Sequence, residues 1–306
     1  MRRSRRERTA DSPIEVDVEV VEDDPNTSLT AWDRVKLARD PDRPHTLSYI
    51  DQLMTGFVEL HGDRRFGDDK AIVGGLARFD GDTVVVIGHQ KGSDTRENLR
   101  YNFGMARPEG YRKAERLMKH AEKFGIPVIT FIDTPGAEPG VGSEERGQGT
   151  AIAESLLTMA SLKTPVISMV IGEGGSGGAL AIGMSDRILM LENAVYAVAS
   201  PEACAAILRK DTDTAPDAAE TMRITAADLF AFGIVDEIVP EPVPAHEAPQ
   251  ATISAAGEAL TRQFEDLMRL VDQPSGIDRL MELRYEKYRR MGIWEDAGVT
   301  ASVGRE

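Results

Sequence analysis

Two glycine-rich segments, Asp133-Thr-Pro-Gly-Ala137 and Gly172-Glu-Gly-Gly-Ser-Gly-Gly-Ala179, have the composition of strand-to-helix turns that hold an anionic oxygen. Each follows a proline-led apolar run, Ile126-Pro-Val-Ile-Thr-Phe-Ile132 and Thr164-Pro-Val-Ile-Ser-Met-Val-Ile171. The two prolines, Pro127 and Pro165, lie 38 residues apart, roughly one βα repeat. Such a turn points backbone N–H groups at the start of a helix, where they complement negative charge. Two of them side by side suggest a site built from amides rather than from a nucleophilic side chain. Gly177, Gly178 and Ala179 are the candidate donors, with no side chain to block a flat acyl or ureido group. The same glycines could instead only allow a helix to pack closely, and the local sequence leaves that reading open.

Residues 172–178 also satisfy two other motifs. Gly172, Gly174 and Gly177 spell G-x-G-x-x-G, with Glu192 20 residues beyond Gly172, as a dinucleotide-binding unit requires. Only about a dozen residues separate these glycines from the next strand, however, which is short for that unit. Gly174-Gly-Ser-Gly-Gly178 spells G-x-S-x-G, the nucleophile elbow of serine hydrolases. Its triad needs a histidine after the serine, and only His246, in a proline-rich stretch, follows Ser176. His89-Gln-Lys-Gly92, just after a strand, reads equally as a phosphate-binding or cleft-lining loop and as a polar turn. Glu144, Glu145 and Arg146 are expected to open a helix, the carboxylates complementing its dipole. Lys119 is expected on the surface and Cys204 in the interior.

The elements that must position these residues alternate. A helix opens near Thr30 with Trp32, Val35 and Leu37, and the periodicity of Leu47, Ile50, Leu53, Met54 and Phe57 predicts a second helix over Thr46–Leu60. Strands are expected at Ala71–Phe79 and Thr83–Gly88, joined by a hairpin turn at Asp80-Gly81-Asp82. Pro108 to Phe124 is a helix with proline at its start and Gly125 past its end. Tyr111, Ala114, Leu117, Met118, Ala121 and Phe124 form its apolar face, with Arg112, Lys113, Arg116 and Lys119 mostly outside it. Strand Val128–Asp133, a helix over Glu144–Leu162, strand Val166–Ile171, strands Ile188–Leu191 and Val195–Ala199 and a helix from Pro201 follow. Near-continuous apolar strands alternating with helices imply an α/β fold with a mostly parallel sheet. Pro240 to Pro249, with four prolines, reads as a linker, and Thr252–Val271 and Gly276–Met291 as two terminal helices that pack on this domain or on a partner.

The 306 residues suffice for a substantial core, and no apolar run approaches the eighteen or so residues of a spanning helix. One cysteine excludes an internal disulfide and a multi-cysteine zinc cage, so no metal site is expected and a reducing, cytoplasmic setting fits. With 36 basic and 51 acidic residues, net charge −15, nucleic acid is not the expected ligand. The charge is uneven: residues 2–8 hold five arginines and residues 11–24 hold seven acidic residues and no basic one, which reads as a disordered arm over residues 1–29.

Several ordered motifs together resemble one family. They are Asp69-Lys-Ala-Ile-Val-Gly-Gly75, Gly88-His-Gln-Lys-Gly92, Asn102-Phe-Gly-Met105, Pro108-Glu-Gly-Tyr-Arg-Lys-Ala114, Ile132-Asp-Thr-Pro-Gly-Ala137, Glu144-Glu-Arg-Gly-Gln148 and Ile171-Gly-Glu-Gly-Gly-Ser-Gly-Gly-Ala-Leu-Ala-Ile-Gly183. The resemblance is to the α subunit of the carboxyltransferase component of bacterial and plastid acetyl-CoA carboxylase, and it runs from about Thr30 to Pro240. It implies a crotonase-type α/β fold, repeated ββα units stacked into a superhelix, as one domain over residues 30–240. A linker over 241–250 and C-terminal helices over 251–306 would follow, the tail being similar in helical character only.

The resemblance further implies a chain active only with a separate β subunit, in an α2β2 assembly. Carboxybiotin would arrive on a biotin carboxyl carrier protein, charged at the expense of ATP by a separate biotin carboxylase, and acetyl-CoA would sit mainly on β. The ureido nitrogen would take a proton from the acetyl methyl group and the enolate would attack released CO2, giving malonyl-CoA for fatty acid biosynthesis. Negative charge then develops on the ureido and thioester oxygens, so amide donors suffice. Gly177, Gly178 and Ala179 would donate to the ureido oxygen, and Gly136, Ala137, Gly174 and Gly175 would line the biotin pocket. Two departures stand out. Glu138 occupies the place of an aromatic residue in the family's Gly-Ala-Tyr-Pro-Gly stretch, and a charged arm replaces a longer helical N-terminus. A carboxyltransferase for another acyl-CoA such as propionyl-CoA, and a stand-alone crotonase-like hydratase or decarboxylase using Glu144 or Glu173, are the enzymatic alternatives. A non-catalytic scaffold or RNA-binding regulator is the third.

Overall fold

The computed structural model describes residues 29–292. The charged N-terminal arm, up to residue 28, and residues 293–306 lie outside the described residues. The chain opens with α1 (Ala31–Ala38), whose Thr30 and Asp33 form a reciprocal capping box. The expected helix over 46–60 divides. Helix α2 (Thr46–Leu53) ends where Met54 turns extended, and the chain enters strand β1 (Thr55–Glu59). Helical periodicity over so short a stretch does not distinguish a long helix from a helix followed by a bulged strand. The bulge lies between Thr55 and Val58, opposite β2 (Ile72–Phe79). Past it, Gly75 pairs with Glu59 and lets the strands lie close, because a Cβ there would sit 2.0 Å from the Val58 carbonyl oxygen.

Strand β3 (Asp82–His89) returns antiparallel to β2 through Asp80 and Gly81, both at positive φ (48° and 86°), the geometry of a two-residue hairpin turn. After α3 (Thr95–Arg100) and α4 (Pro108–Phe124) come β4 (Val128–Thr134), α5 (Val141–Glu145), α6 (Gln148–Ser161), β5 (Val166–Gly175), α7 (Ser176–Leu180) and β6 (Arg187–Leu191). The remainder is β7 (Val195–Ala197), α8 (Pro201–Arg209), α9 (Ala215–Met222), α10 (Ala226–Ala231), β8 (Glu237–Val239), α11 (Pro249–Val271) and α12 (Gly276–Arg289). The sheet runs β1-β2-β3-β4-β5-β6-β8, antiparallel as far as β3 and parallel beyond, with β7 added to the end of β5. Strands β4 and β5 at its centre are almost wholly buried, as strands covered by helices on both faces must be.

Helix α4 has its apolar face in the core except Phe124, which is 59% exposed. Its basic residues correct the amphipathic reading: Arg112 and Lys113 are buried. Arg112 pairs with Asp63 and Glu109, while Lys113 bonds the Asp68 carboxylate and the Asp69 carbonyl at 2.7 Å each. Charges enter this interior because each finds a charged or carbonyl partner. The terminal helices pack on the same sheet. Ile253, Leu260, Phe264 and Leu267 of α11 join the main core, with the Phe264 ring edge-on to Phe79. From α12, Arg284 bonds Asp186 and the carbonyls of Met159, Leu162 and Thr164.

Candidate active site

The two glycine segments meet at the C-terminal ends of β4 and β5, where open α/β sheets place their ligands. Strand β5 runs further than expected, so Gly172, Gly174 and Gly175 belong to the strand and the turn begins only at Gly175. Their missing Cβ atoms serve close approach. A Cβ on Gly174 would meet the Tyr196 ring at 2.6 Å, and one on Gly175 the Pro135 carbonyl oxygen at 2.1 Å. The 135–137 turn therefore lies across the end of β5. Ser176 then takes φ +53°, which swings the chain into α7. With Gly175 as N-cap, helical register pairs the Ala179 N–H with the Gly175 carbonyl. Gly177 and Gly178 remain as first-turn amides with no intrahelical acceptor.

Gly178 is seated directly on the other turn. A Cβ there would lie 2.6 Å from Ala137 N, 2.7 Å from Gly136 C and 2.9 Å from the Tyr111 hydroxyl. Gly177 differs, since its Cβ would meet only Ile152, at 3.6 Å. Gly136 (φ +150°) has open space beside it, and its N–H bonds Thr134 Oγ1 at 3.1 Å. The Glu138 N–H bonds the Ala106 carbonyl at 3.0 Å, while the Ala137 N–H between them has no acceptor among the described residues. Amides from two turns thus share one small region.

A charged network braces this region from below. Asp133 Oδ1 receives Lys91 Nζ at 2.7 Å and the Glu173 N–H at 3.1 Å, and Oδ2 contacts His45 Nδ1 at 3.0 Å. Glu173 receives Lys91 at 2.9 Å and Arg39 at 2.7 Å, and Arg39 also reaches Glu202. Burial alone would push the Asp133 carboxyl up; the Lys91 ammonium and His45 outweigh it and hold the group well below the usual range. Burial would likewise lower Lys91, yet Asp133 and Glu173 keep its amine above the ordinary value. His89 and Tyr111 are wholly buried, and neither has a well-aligned hydrogen-bond partner among the described residues. Burial pushes the His89 imidazole down to about 4, so it is neutral at pH 7, and pushes the Tyr111 phenol up.

The family described as acetyl co-enzyme A carboxylase carboxyltransferase-like matches residues 7–292. The chain belongs to this carboxyltransferase family. The acetyl-coenzyme A carboxylase carboxyl transferase subunit alpha of Anoxybacillus flavithermus is 53% identical over 291 residues, covering 95% of this chain and 88% of that protein. The protein of the same name from Shouchella clausii is 54% identical over 289 residues, covering 94% and 88%. Among solved structures, a transcarboxylase 12S matches 74% of this chain and 44% of its own, with TM-score 0.57 and 20% identity. The chain therefore spans less than half the length of that protein. The geranyl-CoA carboxylase β subunit of P. aeruginosa matches with TM-score 0.54, 19% identity, 76% of this chain and 45% of its own. The architecture is the crotonase-type fold that the motifs led one to expect.

Several expectations about individual residues change in this carboxyltransferase. A dinucleotide turn does not form at 172–177, because Gly172 and Gly174 are strand residues packed on Asp133 and Tyr196. Ser176 is exposed and strained like a nucleophile elbow, but no hydrogen bond joins its hydroxyl to a histidine among the described residues. Lys91 does not offer its charge to a phosphate, since two carboxylates already hold it. Glu144 and Glu145 close α5 instead of opening a long helix, because Gly147 (φ +81°) breaks the chain before α6. Arg146 turns to Glu109. Glu138 folds onto its own loop, its carboxylate accepting from the Gly140 N–H and from Ser143 Oγ. Cys204 is half-buried. The Arg39–Glu173–Lys91–Asp133 network escaped the sequence reading. Its signal was present in two acidic residues, Asp133 and Glu173, near the C-terminal ends of otherwise apolar strands.

Proposed function

We propose that this chain is the α half of a carboxyltransferase that moves a carboxyl group from carboxybiotin to acetyl-CoA, giving malonyl-CoA for fatty acid synthesis. It would work in the cytoplasm with a β subunit, as α2β2, and receive biotin on a carrier protein charged by a biotin carboxylase using ATP. The observation that carries the reading is the pair of facing turns, in which the Gly177, Gly178 and Ala137 amides lack acceptors among the described residues. These amides suit a flat group bearing a single anionic oxygen, and the open space beside Gly136 leaves it room. Bound biotin would supply the transferable carboxyl group and, at its ureido nitrogen, a base. Gly177 and Gly178 would hold the ureido oxygen, and Ala137 would add a donor from the second turn. Ala179, its N–H in register with Gly175, would instead close the helix. Gly174 and Gly175 would shape the pocket by letting Tyr196 and the 135–136 peptide approach.

Loss of one such donor typically costs about 10²–10³ in rate. Preorganisation comes from the packing of Gly178 on the second turn and from the charged network below it. A stand-alone hydratase would need a free acid or base, whereas Glu173 is held by Arg39 and Lys91. The test is the reverse reaction, malonyl-CoA plus biocytin to acetyl-CoA, with this chain alone and with its cognate β subunit. Activity only in the mixture is expected. Turnover by the isolated chain would overturn the half-site reading.

A further inference from the structure

Three consecutive residues, Asn102, Phe103 and Gly104, take left-handed backbone angles, with φ of 49°, 56° and 73°. Glycine and, next to it, asparagine accommodate this conformation, whereas a phenylalanine in it is a strained outlier of the kind that clusters at functional sites. The strain does not serve burial, since Phe103 is 43% exposed and no aromatic or cationic partner lies against its ring among the described residues.

The turn is firmly mounted. Asn102 Nδ2 donates to the Met105 carbonyl at 2.7 Å, and the Gly104 N–H donates to the Tyr101 carbonyl at 3.0 Å. A Cβ on Gly104 would sit 2.8 Å from the Asp133 carbonyl oxygen and 3.0 Å from Lys91 Cγ. Two residues on, the Ala106 carbonyl accepts from the Glu138 N–H at 3.0 Å and from Gln148 Nε2 at 2.9 Å. The Phe103 turn therefore touches both ends of the 133–138 segment that supplies the Ala137 amide. Glu138, at the place where an aromatic was expected, is turned into its own loop.

We propose that the Phe103 ring is the apolar wall against which the bicyclic ring of biotin rests, while the amides of the two glycine turns hold its ureido oxygen. The inference deepens the carboxyltransferase reading and rests on it. A ring system with one polar edge and an apolar body needs both surfaces. The amides provide the first, and an exposed phenyl on the turn that abuts the 133–138 segment would provide the second.

The test compares Phe103→Ala, Phe103→Tyr and Leu99→Ala in the αβ assembly, with biocytin as the probe in the reverse reaction. Leu99 is exposed on the neighbouring α3 and serves as the control. The expected result for Phe103→Ala is a KM for biocytin raised about tenfold, the scale of one ring contact. The KM for malonyl-CoA and the association with β should be unchanged, and Phe103→Tyr and Leu99→Ala should behave as the parent. An unchanged biocytin KM, weakened association with β, or an equal effect from Leu99→Ala would overturn the proposal while leaving the carboxyltransferase reading intact. A parent assembly that transfers no carboxyl group to biocytin would overturn both.

Discussion

The neighbouring glycines at the start of α7, Gly177 and Gly178, should respond to the same substitution in opposite ways. In Gly178→Ala the new Cβ would enter a site whose nearest atoms are backbone, Ala137 N at 2.6 Å and Gly136 C at 2.7 Å. Ordinary contact is about 3.5 Å, so the 135–137 turn must retreat by nearly 1 Å. Overpacking of this sort costs about 1–3 kcal/mol, offset by roughly 1 kcal/mol of helix propensity gained over glycine. Stability should therefore fall only modestly. Activity should fall far more, because displacing an aligned group by about 1 Å can cost about 10²-fold. In Gly177→Ala the Cβ meets Ile152 at 3.6 Å and the amide stays in place. That variant should gain roughly 0.5–1 kcal/mol and keep its rate within a few-fold. Thermal melts and the malonyl-CoA-to-biocytin assay with the β subunit measure both quantities. Full activity in Gly178→Ala, or inactivity in Gly177→Ala, would refute the reasoning that the two turns hold each other in register.

His89 has a depressed folded pKa of about 4 against an ordinary 6.5, so the unfolded chain binds its proton first as pH falls. Stability present at neutral pH is then lost between about pH 6.5 and 4, by roughly 3 kcal/mol, and His89→Leu should flatten that limb in denaturant titrations at several pH values. An unchanged slope would show that the imidazole is not held neutral. Ser176→Ala should leave carboxyl transfer unchanged, and Ser176→Gly should raise stability by up to about 1 kcal/mol by removing a side chain from φ +53°; loss of activity in Ser176→Ala would revive the nucleophile. Arg43 and Glu241 form a fully buried bidentate pair, with Arg43 Nε on the Ile171 carbonyl. Arg43→Met should cost about 3–5 kcal/mol, and adding Glu241→Leu should recover part of it, as a double-mutant cycle would reveal.

The local sequence alone determined the features that depend on few residues. Asp80-Gly81 makes a hairpin because both positions must take positive φ. Pro108 and Gly125 bracket a helix through the φ that each one prefers. Pro127 and Pro165 introduce two buried strands, and the glycines after those strands marked where amides would be exposed. The resemblance of the motifs then carried the family and fold. Tertiary structure decided what depends on neighbours distant in the chain. Whether residues 55–59 continued a helix or paired with β2 turned on the close approach of the Val58 carbonyl to Gly75. Whether Arg112 and Lys113 met water or Asp63 and Asp68 turned on chain segments about 45–50 residues away. The eight residues from Gly172 to Ala179 have similar composition throughout. Their roles diverged because Tyr196, Pro135, Ala137 and Ile152 each press on a different one, and contacts of that kind are absent from the order of the residues.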